Sequence, residues 1–241
     1  MTHWAYSEEL DDEKITIEEA EAHHLLHVMR CKVGDPLTLF NGMGTVAQAV
    51  ISSTTRHSVI CAVVSKVQHE NSACPVVTVI ASPPKAERLK WMVEKLTEIG
   101  VDRLTLLNTR RTIVVPGETR HEKLRATVVA ACKQSQRPFL MDVAPLQTFA
   151  SVLGEMNGSV GTHVTYLAHP GTMAAGASLF SKHVGMESVS VLIGPEGGFT
   201  DDEVQQAFAA GALPISWPSN TLRIETAALV FATMLRVSMS F

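Results

Sequence analysis

The stretch VSVLIGPEGGFTDDEVQQA, residues 189–207, passes from an apolar run to an acidic segment through a glycine-rich turn. The run VSVLI, with alternate valines and a closing isoleucine, predicts a buried β-strand. The turn GPEGG has three glycines and a proline in five residues, so its backbone can approach a ligand without hindrance from Cβ atoms. Thr200, followed three residues later by Glu203, is typical of a capping box and predicts a helix that begins there.

The charge around this turn restricts what it can bind. Asp201, Asp202 and Glu203 fall in the first turn of the predicted helix, and Glu196 lies within GPEGG. The N-terminus of a helix attracts anions, but these carboxylates repel a phosphate. A neutral or cationic ligand therefore fits the turn better. An ordinary connection between a strand and a helix is the alternative without a ligand.

The composition is that of a globular protein. Of the 241 residues, 46% are hydrophobic and 18% are charged, which suffices for one large or two small domains. Residues 1–19 are acidic and have neither the basic nor the apolar region of a signal peptide. No run approaches the roughly 20 apolar residues of a membrane span. We therefore expect a cytoplasmic protein with no membrane partner.

The cysteines and histidines predict no metal cofactor. Cys31, Cys61, Cys74 and Cys132 form no CxxC pair and have no spacing typical of a metal site, so we expect reduced and mostly buried thiols. The segment HHLLH, residues 23–27, can place two imidazoles on one helix face. The sequence shows no third ligand of the kind that a catalytic zinc site requires.

Basic residues are concentrated in one segment. The net charge of −4 by itself argues against a nucleic-acid partner, yet residues 103–137 contain eight basic and only two acidic side chains. This excess fits either a solvated helix face or a strip that contacts phosphates, and charge alone leaves both open.

The first part of the chain, residues 1–73, is rich in β-strand signals. A short helical segment is predicted around TIEEAEAHHLLHVMR, residues 16–30, and β-strands are predicted at PLTLF, TVAQAVI and SVICAVVSKV. Turn sequences separate these runs, and together they predict a small β-barrel. The polar stretch QHENSACP, residues 68–75, is typical of a linker and puts the domain boundary near residue 73.

The second part, residues 74–241, alternates strands with helices. After the strand VVTVIAS, apolar side chains recur at helical spacing at Leu89, Val93 and Leu96, and Gly100 follows as the C-terminal cap. Further strands are predicted at RLTLLNT, FLMDVAP, THVTYLAHP, VSVLIG and LPISW, with helices between them, one of them near LQTFASVL, and a last helix at ETAALVFATMLRV. This pattern predicts an α/β domain with a mostly parallel sheet, whose ligands gather beyond the carboxyl ends of the strands.

Three late loops follow strands of this domain: AHPG, GPEGG and PSNTLRIET. These loops belong to an ordered set of motifs that also includes EAHHLLHVMRCKVGDPLTLFNGMG, PKAERLKWMVEKLTEIGV, TRRTIV and AACKQSQRPFL. In this set and its order, the chain resembles the RsmE-type 16S ribosomal RNA uracil-N3 methyltransferases of the SPOUT superfamily. The resemblance covers nearly the whole chain. It implies a PUA-like RNA-binding β-barrel at residues 1–73 and, at residues 74–241, a SPOUT methyltransferase domain with a C-terminal trefoil knot that forms a homodimer.

The resemblance also implies a reaction and a cofactor. Family members use S-adenosylmethionine, bound beside the dimer interface, to methylate N3 of a uridine in the decoding region of small-subunit rRNA on the assembled 30S subunit. The residues implied to bind S-adenosylmethionine are Leu167, Ala168, His169, Ile193, Gly194, Pro195, Glu196, Gly197, Gly198, Trp217, Leu222, Ile224 and Thr226. The residues implied to bind RNA are Arg30, Lys85, Arg110, Arg111, Gln134 and Arg137.

Two further residues are implied to be catalytic. A neutral uracil nitrogen is a poor nucleophile, because its lone pair is delocalised and its proton must leave. Arg223 matches the arginine of the family pattern LR.ET and is implied to stabilise the uracil anion or to orient its carbonyl oxygens. Glu225 either fixes that guanidinium or caps the last helix.

The loop before the last helix departs from the family pattern. WPSNTLRIETA stands where the family has LGxRILRTETA, so that Trp217 and Pro218 replace Leu-Gly, Asn220 replaces an arginine and Ile224 replaces a threonine. The change at Asn220 removes a charge and a bidentate donor from the predicted site. One alternative is therefore an RNA- or ribosome-binding module that keeps the fold without turnover. Another is a SPOUT methyltransferase with a different RNA target.

Overall fold

The computed structural model describes residues 2–70, 75–114, 117, 119–158, 162–170, 186–218 and 220–238. Contacts divide the chain into two units. The first comprises Met1–Ser72 with Val129–Leu140, and the second comprises Ala73–Val128 with Met141–Phe241. Val129–Leu140 lies in the second domain predicted from the sequence, whereas it groups with the first unit by its contacts.

The first unit is built on a five-stranded sheet in the order β1-β3-β4-β5-β2. Its strands are β1 (His3–Tyr6), β2 (Lys14–Glu18), β3 (Pro36–Phe40), β4 (Thr45–Thr54) and β5 (Ser58–Gln68). β1 pairs with β3 in parallel, and the other neighbours are antiparallel. Helix α1 (Glu19–His23) and a π-helical turn (His24–Val28) follow β2. The buried core of the first unit includes Leu37, Leu39 and Ile51.

The first two strands are not predicted from the sequence, and the predicted helical segment begins too early. Thr16 and Ile17 lie in β2, where Ile15 and Ile17 are buried while the residues between and beside them are exposed. This period of two is that of a half-buried strand. The helix begins only at Glu19.

The turn between β3 and β4 contacts the segment of residues 138–140. The amide of Gly44 donates to the carbonyl of Pro138 at 3.1 Å, and the amide of Leu140 donates to the carbonyl of Gly42 at 2.9 Å. Both glycines have positive φ angles, and a Cβ atom on either would overlap the side chain of Leu140 or Phe139. This docking explains why Val129–Leu140 belongs to the first unit.

The second unit contains a six-stranded sheet in the order β11-β9-β10-β6-β7-β8. The strands are β6 (Val76–Ala81), β7 (Arg103–Asn108), β8 (Asp142–Thr148), β9 (His163–Ala168), β10 (Ser188–Ile193) and β11 (Leu213–Ile215). The helices are α2 (Ala86–Glu98), α3 (Thr119–Ser135), α4 (Phe149–Gly158), α5 (Asp201–Ala209) and α6 (Ile224–Ser238). All paired neighbours run parallel, which confirms the predicted α/β class.

One strand of this sheet lies later than predicted. The strand expected at FLMDVAP, residues 139–145, is β8, and the helix after it begins at Phe149. Phe139 and Leu140 lie against the glycines of the first unit and are not available to the sheet. The first two residues of the apolar run FLMDVAP therefore pack in the first unit and not in this sheet.

The two faces of the sheet carry different layers. On one face Leu167 and Leu192 belong to a core with Phe149, Val152 and Phe199, which come from α4 and the segment before α5. Helix α6 contacts β6, β10 and α2. The sheet is therefore covered by helices, as parallel sheets usually are.

The described helices and thiols complete the fold. No helix among the described residues is long and apolar enough to cross a lipid bilayer. Cys31, Cys61 and Cys132 are buried thiols outside any disulfide, as predicted, and Cys74 lies outside the described residues. Burial, with a smaller effect of Cys31, raises the pKa of the Cys61 thiol to about 11, so this thiol is protonated at neutral pH.

Candidate functional site

Four parallel strands end in register at one edge of the second unit. Ile193 at the end of β10 is the partner of both Ala81 on β6 and Ala168 on β9, and Ala168 is the partner of Ile215 on β11. The amide of Ser82 donates to the carbonyl of Ile193 at 2.9 Å, which joins two of the outgoing chains. The amide of His169 donates to the carbonyl of Ile215 at 3.1 Å. The three loops AHPG, GPEGG and PSNTLRIET thus leave from adjacent strands, although Gly171 and Ser219 lie outside the described residues.

The GPEGG loop forms a closed turn. The amide of Gly198 donates to the carbonyl of Pro195 at 2.8 Å, and Gly198 has a φ of +70°, a conformation that favours glycine. Gly194 is required for another reason, because a Cβ atom there would lie 3.0 Å from the ring of Phe199. Glu196 and Gly197 are exposed at the tip. The loop therefore presents backbone and one carboxylate.

The helix after this loop begins with the predicted capping box. The hydroxyl of Thr200 accepts from the amide of Glu203 at 3.2 Å, and Glu203 Oε2 accepts from the amide of Thr200 at 2.8 Å. Glu203 is 3% exposed, and its other carboxylate oxygen accepts from the amide of Arg110 at 2.9 Å. The capping carboxylate thus also fixes the loop that follows β7.

The two arginines predicted to bind RNA after β7 make intramolecular contacts instead of standing free. Arg111 donates from Nη1 to the carbonyl of Gly197 at 2.8 Å and to that of Phe199 at 3.3 Å. Arg110 forms an exposed ion pair with Asp202 at 3.2 Å. Arg111 therefore holds the main chain of the GPEGG loop, a role that the sequence did not indicate.

Arg88, in the first turn of α2, is a residue of this site that the sequence did not predict. Its Nη1 is 3.3 Å from Glu196 Oε1, and its Nε is 3.7 Å from Glu225 Oε1. Its partners are more than 100 residues away along the chain, 108 in the case of Glu196. The available signal was its place in the helix that follows β6, three residues after Lys85, at the same edge of the sheet.

Glu225 lies in the first turn of α6 and is 8% exposed. Its carboxylate forms an ion pair with Arg88, and its Oε2 has no hydrogen-bond partner among the described residues. Arg223 immediately precedes α6, where its carbonyl accepts from the amide of Ala227 at 2.8 Å. The side chain of Arg223 is exposed, and no described acidic residue pairs with it. Arg223 and Glu225 thus lie on either side of Ile224, the first residue of α6, and do not form an ion pair with each other.

The other predicted cofactor residues differ in burial. Leu167, Ile193 and Ile224 are buried, while Ala168, His169, Leu222 and Thr226 are half-buried. Trp217 is 42% exposed. Pro218 and Asn220, two of the departures from the family pattern, are also exposed, so that neither is needed in a core.

The predicted RNA-binding residues are divided between the units. Lys85 is exposed at the N-cap of α2 and, with Arg110 and Arg111, belongs to the second unit. The first unit contains Arg30, Gln134 and Arg137. Arg30 is exposed and has a φ of +57°, a left-handed conformation that is uncommon outside glycine. Within the described ranges, no group of three or more His, Cys, Asp or Glu side chains is arranged to hold a metal ion.

Comparisons with protein families and curated proteins match both units. A family model described as an RNA methyltransferase domain matches residues 70–236, and one described as an RNA methyltransferase PUA domain matches residues 17–64. The ribosomal RNA small subunit methyltransferase E of Bacillus subtilis is 29% identical over 216 residues, which cover 87% of this chain and 84% of that protein.

Solved structures share the same fold. The crystal structure of a "probable rRNA-methyltransferase" from Porphyromonas gingivalis has a TM-score of 0.86 at 28% identity and covers 99% of this chain and 98% of its own. A Legionella pneumophila protein, solved with the bound cofactor S-adenosylmethionine, has a TM-score of 0.84 at 25% identity and covers 99% of this chain and 98% of its own.

Proposed function

Since the chain belongs to the RNA methyltransferase domain family, and within it to the RsmE type, we propose that it methylates N3 of a uridine in the decoding region of 16S ribosomal RNA, with S-adenosylmethionine as methyl donor. The observation that carries this proposal is the common edge from which the three late loops leave, inside the stretch that the family model matches. The relative from Bacillus subtilis bears the name of a small-subunit rRNA methyltransferase.

The residues at this edge fit S-adenosylmethionine. Glu196 and the buried Glu225 are acids beside a helix start, a setting that repels a phosphate but tolerates a positively charged sulfur. Glu225 Oε2 is a buried acceptor without a partner among the described residues, so it can receive a donor from a ligand. A Cβ atom on Gly198 would meet no atom within 4 Å, so there is room for an adenine beside the main chain of this turn. When bound, the cofactor supplies a methyl group activated by its sulfonium.

The protein must lower the free-energy cost of the uracil anion. Arg223 is exposed at the start of α6 and has no acidic partner among the described residues, so its guanidinium is available to a substrate. A guanidinium can donate hydrogen bonds to a uracil carbonyl oxygen that shares the negative charge of the anion, which leaves the N3 lone pair free to attack the methyl group. We assign Arg223 this role. Glu225, which forms an ion pair with Arg88, lies in the first turn of the same helix and is the second residue proposed to be catalytic.

Binding of rRNA would use both units. The family model of a PUA domain matches residues 17–64, and the exposed Arg30 lies within this range. Gln134 and Arg137 in the first unit and Lys85 in the second supply further contacts to phosphates, whereas Arg110 and Arg111 are engaged by Asp202 and by the carbonyls of Gly197 and Phe199. We propose that the substrate is the assembled 30S subunit, which places the protein in the cytoplasm.

We further propose that the chain forms a homodimer through α6 and that its C-terminal region is a trefoil knot. The buried side of α6 includes Ala228, Phe231 and Leu235. Leu229, Val230 and Met234 are only half-buried, and Val237 is 43% exposed, so a second apolar stripe lacks full cover. A second copy would bury this stripe beside the cofactor.

Methyl transfer from labelled S-adenosylmethionine tests this function. The RNA arms are 30S particles that lack the modification, naked 16S rRNA and bulk tRNA. We expect label in the 30S arm, with less in naked 16S rRNA. Cofactor binding without label in any arm would favour the RNA-binding module, and label confined to tRNA would favour a different target.

A further inference from the structure

Arg88 contacts two acidic residues from different parts of the proposed site. Its Nη1 lies 3.3 Å from Glu196 in the GPEGG loop, and its Nε lies 3.7 Å from Glu225 in the first turn of α6. A cation in the first turn of α2 stands at the positive end of that helix dipole, where it does not favour the helix itself. The contacts of Arg88 with the loop and α6 are therefore the reason for a cation at this position.

The two acidic partners of Arg88 differ in exposure. The Glu196 side chain is 59% exposed, so water screens its ion pair and the pair stabilises little. The Glu225 side chain is 10% exposed, and a buried carboxylate needs a compensating cation. The guanidinium of Arg88 is the cation that forms an ion pair with Glu225. Its main effect is therefore on Glu225.

The Glu225 carboxylate has one oxygen engaged and one available. Oε1 lies towards Arg88, and Oε2 is buried without a hydrogen-bond partner among the described residues. Buried acceptors in native proteins are usually satisfied, so an available one beside a ligand site indicates a donor that arrives with the ligand. The ligand donor has to be an N–H or O–H group.

We infer that Arg88 is a positioning residue: it holds the Glu225 carboxylate so that Oε2 accepts an N–H donor from the bound cofactor or the bound uracil. Through Glu196 it also ties the GPEGG loop to the start of α6. This inference rests on the proposed function, and it adds to that function a residue outside the three late loops.

The test uses the full-length protein with Arg88→Met, Glu225→Gln and the double variant. Lys95→Met is the matched control, because Lys95 is also a cation on α2 that pairs with two carboxylates, Glu94 and Glu98, but both lie on its own helix. Binding of S-adenosylhomocysteine without RNA is measured by calorimetry, and kcat is measured on 30S particles at saturating cofactor. Thermal unfolding confirms that each variant is folded.

If the donor belongs to the cofactor, Arg88→Met weakens S-adenosylhomocysteine binding by roughly tenfold or more. If the donor belongs to the uracil, cofactor binding is unchanged and kcat falls by a similar factor. In either case Glu225→Gln has a comparable effect, and the double variant is little worse than either single variant, because both act through one interaction.

The inference is overturned if Arg88→Met behaves like Lys95→Met in both measurements, or if its effect adds in full to that of Glu225→Gln. Arg88→Lys refines the result, since it keeps the charge but lacks the Nε that lies near Glu225. The activity of the wild type on 30S particles tests the proposed function separately from the role of Arg88. The binding measurement needs no RNA, so it still tests Arg88 if the wild type methylates no uridine.

Discussion

A Cβ atom on Gly194 would lie 3.0 Å from the aromatic ring of Phe199, whereas one on Gly198 would meet no atom within 4 Å. Gly198 instead has a φ of +70°, which side-chain-bearing residues rarely adopt. The sequence suggested one reason for all the glycines of GPEGG, close approach of a ligand. The structure adds a packing requirement at Gly194 and a backbone requirement at Gly198.

We therefore expect Gly194→Ala and Gly198→Ala to lower the free energy of unfolding for different reasons. Overpacking against Phe199 costs about 1–3 kcal/mol, and a left-handed alanine costs about 1–2 kcal/mol. Adding Phe199→Leu should recover part of the loss for Gly194→Ala only, because it makes room at that site. Urea unfolding measures the four variants, and equal recovery at both glycines would contradict this account.

His163 provides a prediction of pH dependence. It lies at the start of β9 with Nδ1 2.6 Å from Ser188 Oγ and Nε2 2.9 Å from Thr165 Oγ1. Burial lowers its pKa from the ordinary value of 6.5, so the unfolded chain binds the proton more readily than the folded one. The contribution to stability is therefore full above about pH 6.5 and is lost as the pH falls towards the lower folded pKa.

Urea unfolding between about pH 7.5 and 5.5 tests this, with wild type and His163→Asn compared. The wild type should lose stability over this interval, and His163→Asn should lose less. His57→Asn, a change in an exposed turn, is the control and should keep the wild-type slope. Equal slopes for all three proteins would contradict the assignment to His163.

At the scale of elements, the capping box of α5 has two tasks. Thr200 and Glu203 satisfy each other's amides, and Glu203 also accepts from the amide of Arg110. Loss of the cap in Thr200→Ala should cost about 1 kcal/mol of unfolding free energy. Glu203→Ala should cost more, because it also leaves the loop after β7 without its anchor.

The two tasks can be separated by limited proteolysis in the range 109–114 next to Arg111. We expect faster cleavage there for Glu203→Ala than for Thr200→Ala, under conditions where both are folded. If Thr200→Ala is cleaved as fast as Glu203→Ala, the carboxylate contributes through the helix cap alone.

Local sequence patterns predict most of the second unit and less of the first. Strands such as β6 and β10 are largely apolar runs, α2 has apolar side chains at helical spacing, and caps such as Gly100 and Thr200 are visible in the sequence. The sequence predicts a helix where β2 lies, because Glu18, Glu19 and the residues after them form a stronger helical pattern than two alternating isoleucines do. β1 buries only Ala5 and has almost no alternation to detect.

Part of the site can also be predicted from the sequence. Loops that follow parallel strands meet at one edge, so the placement of GPEGG beside AHPG follows from the order of strands. The contacts of Arg88 with Glu196 and of Arg111 with Gly197 join residues 108 and 86 positions apart. Such contacts depend on tertiary packing and leave no local pattern.

At the scale of the whole molecule, α3 crosses the division between the units. It begins in the second unit, and from Val129 it belongs to the first, together with the segment that docks on Gly42 and Gly44. The division between Ser72 and Ala73 is therefore not the only place where the chain passes from one unit to the other. Composition predicts a single boundary near residue 73 and gives no sign of this return of the chain.

The proposed homodimer gives a prediction at the same scale. Val237 is 43% exposed on the apolar stripe of α6, so Val237→Glu should be tolerated by the monomer but should break the dimer. Val64→Glu is the matched control, since Val64 is 70% exposed on β5 in the first unit. Light scattering coupled to size-exclusion chromatography should give a dimer for wild type and Val64→Glu and a monomer for Val237→Glu. A monomeric wild type would refute the proposed dimer.

The most direct test of the central claim is mass spectrometry of nucleosides from 16S rRNA, after 30S particles that lack the modification have been incubated with the protein and labelled S-adenosylmethionine. The account predicts labelled 3-methyluridine with the wild type. It predicts a loss of about a hundredfold or more in rate for Arg223→Ala, the magnitude typical of removing a donor that stabilises a developing anion. Label in another nucleoside, or full activity of Arg223→Ala, would contradict it.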